Sequence, residues 1–103
     1  MNYAIRMRCG FFRTARYVCT LEKNRLLFIP ASKDVQKITI EKSSLLSVAV
    51  LSKQKATPVQ IEIRTKDRTY SGFIDDPILA EAFLEALEIF LGKDRLKPFE
   101  NNR

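Results

Sequence analysis

Apolar and polar residues alternate along most of the chain before residue 75, and this pattern predicts β-strands. In residues 3–11 the apolar side chains fall on odd positions and most even positions are polar, which is typical of a strand with one buried face. Short polar or Pro-containing breaks separate seven such runs. The predicted strands are residues 3–11, 16–22, 25–29, 36–41, 45–51, 59–65 and 69–74.

Two of these runs carry more detailed predictions. Residues 45–51 are almost continuously apolar, broken only by Ser47, so we expect this strand to be covered on both faces. Gly72 lies within the last strand, where the absence of a side chain indicates a bulge or a close approach of the helix. The connections are short, which favours antiparallel pairing.

A helix is predicted after the last strand. Asp75 and Asp76 offer a capping carboxylate, and Pro77 suits the first helical position. Gly92 is a suitable residue for ending the helix. The predicted buried face consists of Leu79, Phe83, Ala86, Leu87 and Phe90. The charged positions Glu81, Glu85 and Glu88 fall on much of the other side.

Together these elements predict a mainly β (α+β) fold, a seven-stranded antiparallel barrel or sandwich capped by one C-terminal α-helix. A chain of 103 residues fits one domain, which we place at residues 1–92, with 93–103 as a polar, flexible tail. No apolar run is long enough to span a membrane, and the N-terminus lacks the continuous apolar segment of a signal peptide. The expected location is therefore cytoplasmic, with peripheral contact to a membrane allowed.

The charge is unevenly distributed along the chain. Residues 1–73 contain 14 Lys or Arg and 5 Asp or Glu, a balance of +9, whereas residues 74–103 contain 4 and 7, a balance of −3. The β portion should therefore attract anionic surfaces, although charge alone does not choose among lipid, nucleic acid and acidic protein.

The residue inventory argues against catalysis and metal binding. The chain has no His, the commonest general base, and no Gly-rich phosphate loop or nucleophile motif. Two cysteines cannot close a zinc site, so we expect no metal and no cofactor. Cys9 and Cys19 are read as reduced, with a cross-strand disulfide as the alternative if they fall opposite each other in a hairpin. No nucleic-acid-binding motif occurs, so nucleic acid is not an expected partner.

The local sequence resembles a known family. Residues 16–30 (RYVCTLEKNRLLFIP) are similar to the hairpin of pleckstrin-homology (PH) domains of the GRAM type: a strand, a polar Asn turn, then Arg-Leu and a Phe-containing strand. The runs 38–40 and 44–51, the hairpin 60–72 and the helix around Phe83 follow in the order of that superfold. The resemblance implies a bent barrel closed by the helix. Relatives with this fold bind phosphoinositides or other anionic lipids, or else peptides and acidic protein segments.

The resemblance also implies a site, because the superfold brings the loops after strands one, three and six to one rim. The candidate ligand-binding residues on this rim are Arg13, Arg16, Lys33, Lys66 and Arg68. A merely solvated rim remains an alternative, since the opposite rim is also basic with Lys23, Arg25, Lys42, Lys53 and Lys55.

Two functions stay open at this point. The chain is either a non-catalytic module that contacts an anionic lipid headgroup, or a protein-interaction domain. In the second case it would bind an acidic protein segment, or accept a peptide strand at the edge of the strand near Ser44 or of the strand after Pro58, and could form a homodimer.

Overall fold

A computed structural model describes residues 2–10, 13–51 and 58–92, together with the backbone of residues 96–97. It confirms the mainly β fold, with seven antiparallel strands followed by one helix. The strands are β1 (Asn2–Arg8), β2 (Thr14–Glu22), β3 (Arg25–Pro30), β4 (Ile38–Glu41), β5 (Leu45–Val50), β6 (Val59–Thr65), β7 (Thr69–Ile74) and a short β8 (Leu96–Lys97). The helix α1 is Pro77–Leu91, and Lys42–Ser44 forms a single 3-10 turn.

The strands form one sheet in the order β4-β3-β2-β1-β7-β6-β5-β8. Strand β1 joins the two halves, because it pairs with β2 along its whole length and with β7 through Arg6 and Met7. Residues from both halves and from α1 share one hydrophobic core, so the sheet must curve around it. In the described part of the chain, no helix is both long and apolar enough to cross a membrane.

The alternation in sequence sets which side chains enter this core. Strand β1 is the clearest case, because Tyr3, Ile5 and Met7 are buried and the residues between them are exposed or half-buried. The side chains of Phe28 and Phe83 are fully buried, one from the sheet and one from the helix. A continuous core of this kind needs no crosslink at this chain length.

Helix α1 begins and ends as its sequence predicts. Asp76 accepts hydrogen bonds from the backbone N–H groups of Ile78 (2.9 Å) and Leu79 (3.4 Å). Gly92 adopts a φ of 86°, and its N–H donates to the carbonyl of Glu88 at 2.8 Å.

The buried face of α1 is rotated relative to the prediction. Phe83 and Leu87 are buried as expected, but Leu79, Ala86 and Phe90 are only half-buried. These three side chains still pack against the core, and Ala80 and Leu91 are buried in addition. The buried face is therefore centred closer to Leu87 than the prediction places it.

Two predictions for the strands were wrong in detail. Strand β5 is not covered on both faces: Leu46 is 52% exposed, whereas Ser47, expected to interrupt the apolar run, is buried. The cause is a β-bulge between Leu45 and Ser47 in the pairing with β6, which changes the alternation. Gly72 marks neither a bulge nor a contact with the helix, because a Cβ there would lie 2.8 Å from Ile5 Cδ1 and 2.9 Å from Met7 Sδ.

The cysteines are reduced, as expected, whereas the tail differs in part from its prediction. Cys19 lies opposite Tyr3, not opposite Cys9, so the register does not bring the two thiols together and both are free.

The predicted tail is not wholly outside the fold, because Leu96 and Lys97 pair in parallel with Val48 and Ala49 of β5. Residues 93–95 and 98–103 lie outside the described residues.

Candidate anion-binding groove

One end of the sheet carries a groove of about 700 Å³ between three connections. These are the β1–β2 loop, the β3–β4 connection and the β6–β7 turn, the same three that the sequence predicts to meet. Four cationic side chains line the groove, against a single carboxylate from Asp34: Arg8, Arg13, Lys37 and Arg68.

Hydrogen bonds to the backbone fix two of the loops that carry these cations. The N–H of Cys9 donates to the carbonyl of Arg13 at 3.0 Å, which closes the β1–β2 loop tightly. In the β6–β7 turn, the hydroxyl of Thr65 accepts from the N–H of Arg68 at 3.1 Å and donates to the carbonyl of the same residue at 2.7 Å. Arg13 and Arg68 are therefore held at defined positions on the groove wall.

Tyrosines form much of the floor of the groove. Tyr17 is buried, and its hydroxyl donates to the carbonyl of Gln36 at 2.9 Å, which ties the β3–β4 connection to β2. Burial, and to a lesser degree the nearby Cys9 thiol, raises the pKa of Tyr17. Tyr70 lies under Arg68, whose Cζ is 5.7 Å from the ring centroid.

Three arginines outside the groove, Arg6, Arg25 and Arg64, are paired with a carboxylate, whereas the described cations of the groove are not. Within the described residues, no salt bridge involves any of the four: Arg8, Arg13, Lys37 or Arg68. The Cζ atom of Arg8 lies 5.7 Å from the centroid of the Phe73 ring. All four side chains belong to exposed residues. Their positive charge is therefore available to a ligand that enters the groove.

The opposite end of the sheet shows the contrast. There Arg25 is bonded to Glu22, and Lys42 Nζ lies 5.1 Å from the centre of the Phe90 ring. Lys53 and Lys55, predicted for that rim, lie outside the described residues. At this end the charge of Arg25 is thus already neutralised by a carboxylate.

Of the five predicted site residues, the structure brings Arg13 and Arg68 together in the groove. Lys33 is exposed in the β3–β4 connection and does not line it, although its neighbour Asp34 does. Lys66 also lies outside the lining, and its N–H donates to the carbonyl of Ser44 at 2.9 Å.

Arg16 does not belong to a loop, contrary to the predicted break between the first two strands. Strand β2 begins already at Thr14, and the pairing with β1 puts Arg16 opposite Arg6. Arg6 in turn donates two hydrogen bonds to Asp75, at 2.9 and 2.8 Å. Arg16 contributes to a separate cavity of about 230 Å³ with these two residues.

The predicted set of site residues did not include two cations of the groove, Arg8 and Lys37. Arg8 is the last residue of β1, and Lys37 directly precedes β4. Both lie where a strand meets a loop of the rim. A search that included the strand ends, and not only the loops, would have found them.

No protein-family model matches the chain, and no curated protein matches its sequence. The similarity to PH domains of the GRAM type therefore stays a prediction. The functional argument rests on the geometry and charge of the groove.

Proposed function

We propose that the chain is a non-catalytic binding module whose basic groove holds the phosphate of an anionic lipid headgroup at a membrane surface. The observation that carries the proposal is the convergence of Arg8, Arg13, Lys37 and Arg68, without acidic partners among the described residues, on one cavity. Unneutralised cations at one place are electrostatically unfavourable unless an anion joins them.

Arginine chemistry favours phosphate as that anion. Three of the four cations are arginines, whose planar guanidinium groups match phosphate oxygens with two parallel hydrogen bonds. The hydroxyl-bearing residues Thr39, Thr69 and Ser71 also line the groove, and hydroxyl groups of this kind can donate to further oxygens.

The affinity should come mainly from charge. Each basic side chain near an anionic leaflet contributes about 1 kcal/mol, so four give about 4 kcal/mol before the rest of the basic surface is counted. The β1–β2 loop is short and closed by the bond from Cys9 to Arg13, so it can enclose little of a headgroup. We therefore expect strong dependence on salt and weak discrimination among acidic lipids.

Sedimentation with liposomes tests the proposal directly. The protein should pellet with vesicles of phosphatidylcholine containing phosphatidylserine or a phosphoinositide, and should remain in the supernatant with phosphatidylcholine alone. The double variant Arg13→Ala/Arg68→Ala should lose most of the binding. The double variant Lys23→Ala/Arg25→Ala removes the same charge at the opposite end of β2 and β3 and serves as the matched control.

Equal recovery with both kinds of vesicle would reject the proposal. An equal loss in the two double variants would mean that overall charge, and not the groove, attracts the membrane. A soluble inositol phosphate added as competitor separates recognition of the headgroup from attraction to the surface.

The alternative ligand is an acidic protein segment. If a Glu-rich peptide binds at the same residues while acidic vesicles do not, the groove serves protein interaction instead.

Docking of a peptide strand after Pro58 does not fit the structure, because β6 is paired on both sides, with β5 and β7. On the free side of β5, β8 pairs with Val48 and Ala49 and does not reach the residues next to Ser44, and β4 is the edge strand on the other side of the sheet.

A further inference from the structure

The outward face of α1 combines exposed apolar side chains with uncompensated negative charge. Ile78 and Ile89 are 78% and 86% exposed, the two highest values among the large apolar residues described. Ile78, Ala82, Glu85 and Ile89 fall within an arc of about 60° on the helix, opposite the buried face. The two isoleucines therefore lie about 16 Å apart on one stripe.

The negative charges beside this stripe destabilise the helix. Glu81 and Glu85 are four residues apart and Glu85 and Glu88 three apart, which places like charges next to each other. Glu88 also lies near the negative end of the helix dipole. The helix contains no Lys or Arg, and within the described residues these three carboxylates form no salt bridge.

Next to Ile89 the stripe continues into a second cavity of about 480 Å³. Its lining, between the end of α1 and the β2–β3 turn, combines apolar surface from Tyr3, Leu21 and Phe90 with the charged residues Glu22, Lys23 and Lys42. An apolar side chain of a partner packed on Ile89 would have room to enter there.

We propose that this face of α1 is a docking surface for a basic amphipathic segment of another protein, with apolar residues about three helical turns apart and Lys or Arg on both sides. Charge complementarity decides the occupant. A second copy packed helix against helix would put glutamates opposite glutamates, whereas a basic segment would neutralise all three and cover both isoleucines. The proposal is independent of the lipid function.

The docking surface and the basic groove lie at different ends of the molecule. Strand β2 runs from Thr14, next to the groove residue Arg13, to Glu22, which lines the second cavity beside the end of α1. The nine residues of β2, about 26 Å long, separate the groove from the Ile89 end of the docking surface. Both can therefore be occupied together, so that a membrane-bound copy would still present α1 to its partner.

A synthetic helical peptide tests the proposal on the full chain in the absence of lipid. The probe is a peptide of roughly 18 residues made of Leu, Lys and Ala, with leucines three turns apart and lysines on either side, compared with a scrambled peptide of the same composition. We expect binding with a Kd below about 100 µM, by calorimetry or fluorescence anisotropy, and at least tenfold weaker binding of the scrambled peptide.

Two variants locate the binding. Ile89→Ser removes an exposed apolar contact and Glu85→Lys reverses the central charge, and each should weaken binding about tenfold or more. Ile29→Ser, at a 41% exposed isoleucine on the outer face of β3, is the matched control and should bind as the unchanged chain does. Circular dichroism checks that all three variants remain folded, as expected for exposed positions.

Three results would overturn the proposal. The first is an absence of binding up to about 1 mM peptide. The second is binding that Ile89→Ser and Glu85→Lys leave unchanged. The third is self-association of the chain, seen by sedimentation velocity, that Ile89→Ser abolishes, because the stripe would then be an interface between copies.

Discussion

The two ends of the molecule are built on opposite principles. At the end closed by α1, Phe83 and Leu87 are fully buried, and Arg25 is paired with Glu22. At the groove, four cations converge, and within the described residues none of them has an acidic partner. Burial and ion pairing at the first end stabilise the fold. At the second end the cations repel one another, and binding of an anionic ligand would relieve that repulsion. Substitutions at the two ends should therefore affect different properties.

The largest effect on stability should come from the helix end. Phe83→Ala removes a fully buried ring whose centroid is 5.0 Å from that of Tyr3, and the cavity should cost about 3–5 kcal/mol of the free energy of unfolding. Chemical denaturation measures the loss. Phe73→Ala, at a half-buried ring on the outer face of β7, is the control and should cost about 1 kcal/mol or less. If the two variants lose the same stability, α1 does not close the core.

A smaller loss is expected at the junction of the two sheet halves. In Gly72→Ala the new methyl group would lie 2.8 Å from Ile5 Cδ1 and 2.9 Å from Met7 Sδ, so β1 and β7 must move apart or these side chains must shift. Overpacking of this kind costs about 1–3 kcal/mol. Adding Ile5→Val removes Cδ1 and should recover part of the loss, as thermal unfolding would show. A Gly72→Ala protein as stable as the unchanged chain would contradict the close approach of the strands.

The ion pair between the sheet and the start of α1 should contribute still less. Hydrogen bonding from Arg6 is the main reason why the pKa of Asp75 is lowered. A lowered pKa in the folded state stabilises the fold above the ordinary pKa of Asp, about 4, and this contribution disappears as the pH falls through the folded-state value. Because the pair is exposed, Asp75→Asn should cost at most about 1 kcal/mol at pH 7. The difference from the unchanged chain should shrink as the pH falls below about 4 and vanish once Asp75 is protonated in both the folded and the unfolded state. A difference that does not change with pH would refute the electrostatic origin.

The smallest change in stability is expected at the groove. Arg13→Ala/Arg68→Ala removes two exposed side chains that form no salt bridge among the described residues, and it reduces repulsion between cations. The free energy of unfolding should change by no more than about 0.5 kcal/mol in either direction. Denaturation in parallel with the liposome assay checks this. A large destabilisation would show that these arginines hold the loops in place, and it would remove the distinction between the two ends.

Local pattern predicted the elements well, because alternation and capping are properties of short segments. The number and order of the first seven strands and the limits of α1, from the Asp76 cap to Gly92, agree with the structure, whereas β1 ends at Arg8 and β4 begins at Ile38, both inside the predicted runs. The bulge at Leu45–Ser47 and the pairing of β8 do not follow from such patterns. The bulge depends on the register with β6, and β8 has two residues, too few to show periodicity.

The site was predicted only in outline, because its residues depend on where each strand ends. Extending β2 back to Thr14 moves Arg16 from the loop to the outer face of the sheet. Extending the search by one residue into β1 and into the β3–β4 connection adds Arg8 and Lys37. Errors of this size are small for a fold but decide the composition of a binding site.

The short strand β8 covers part of one edge of the sheet. It covers Val48 and Ala49 on the free side of β5, where Leu46 and Leu51 are 52% and 41% exposed. An uncovered apolar edge of this kind readily recruits strands from other chains and promotes aggregation. Proteolysis just after Gly92 would therefore leave the core residues in place and yet produce a protein that precipitates at concentrations the whole chain tolerates.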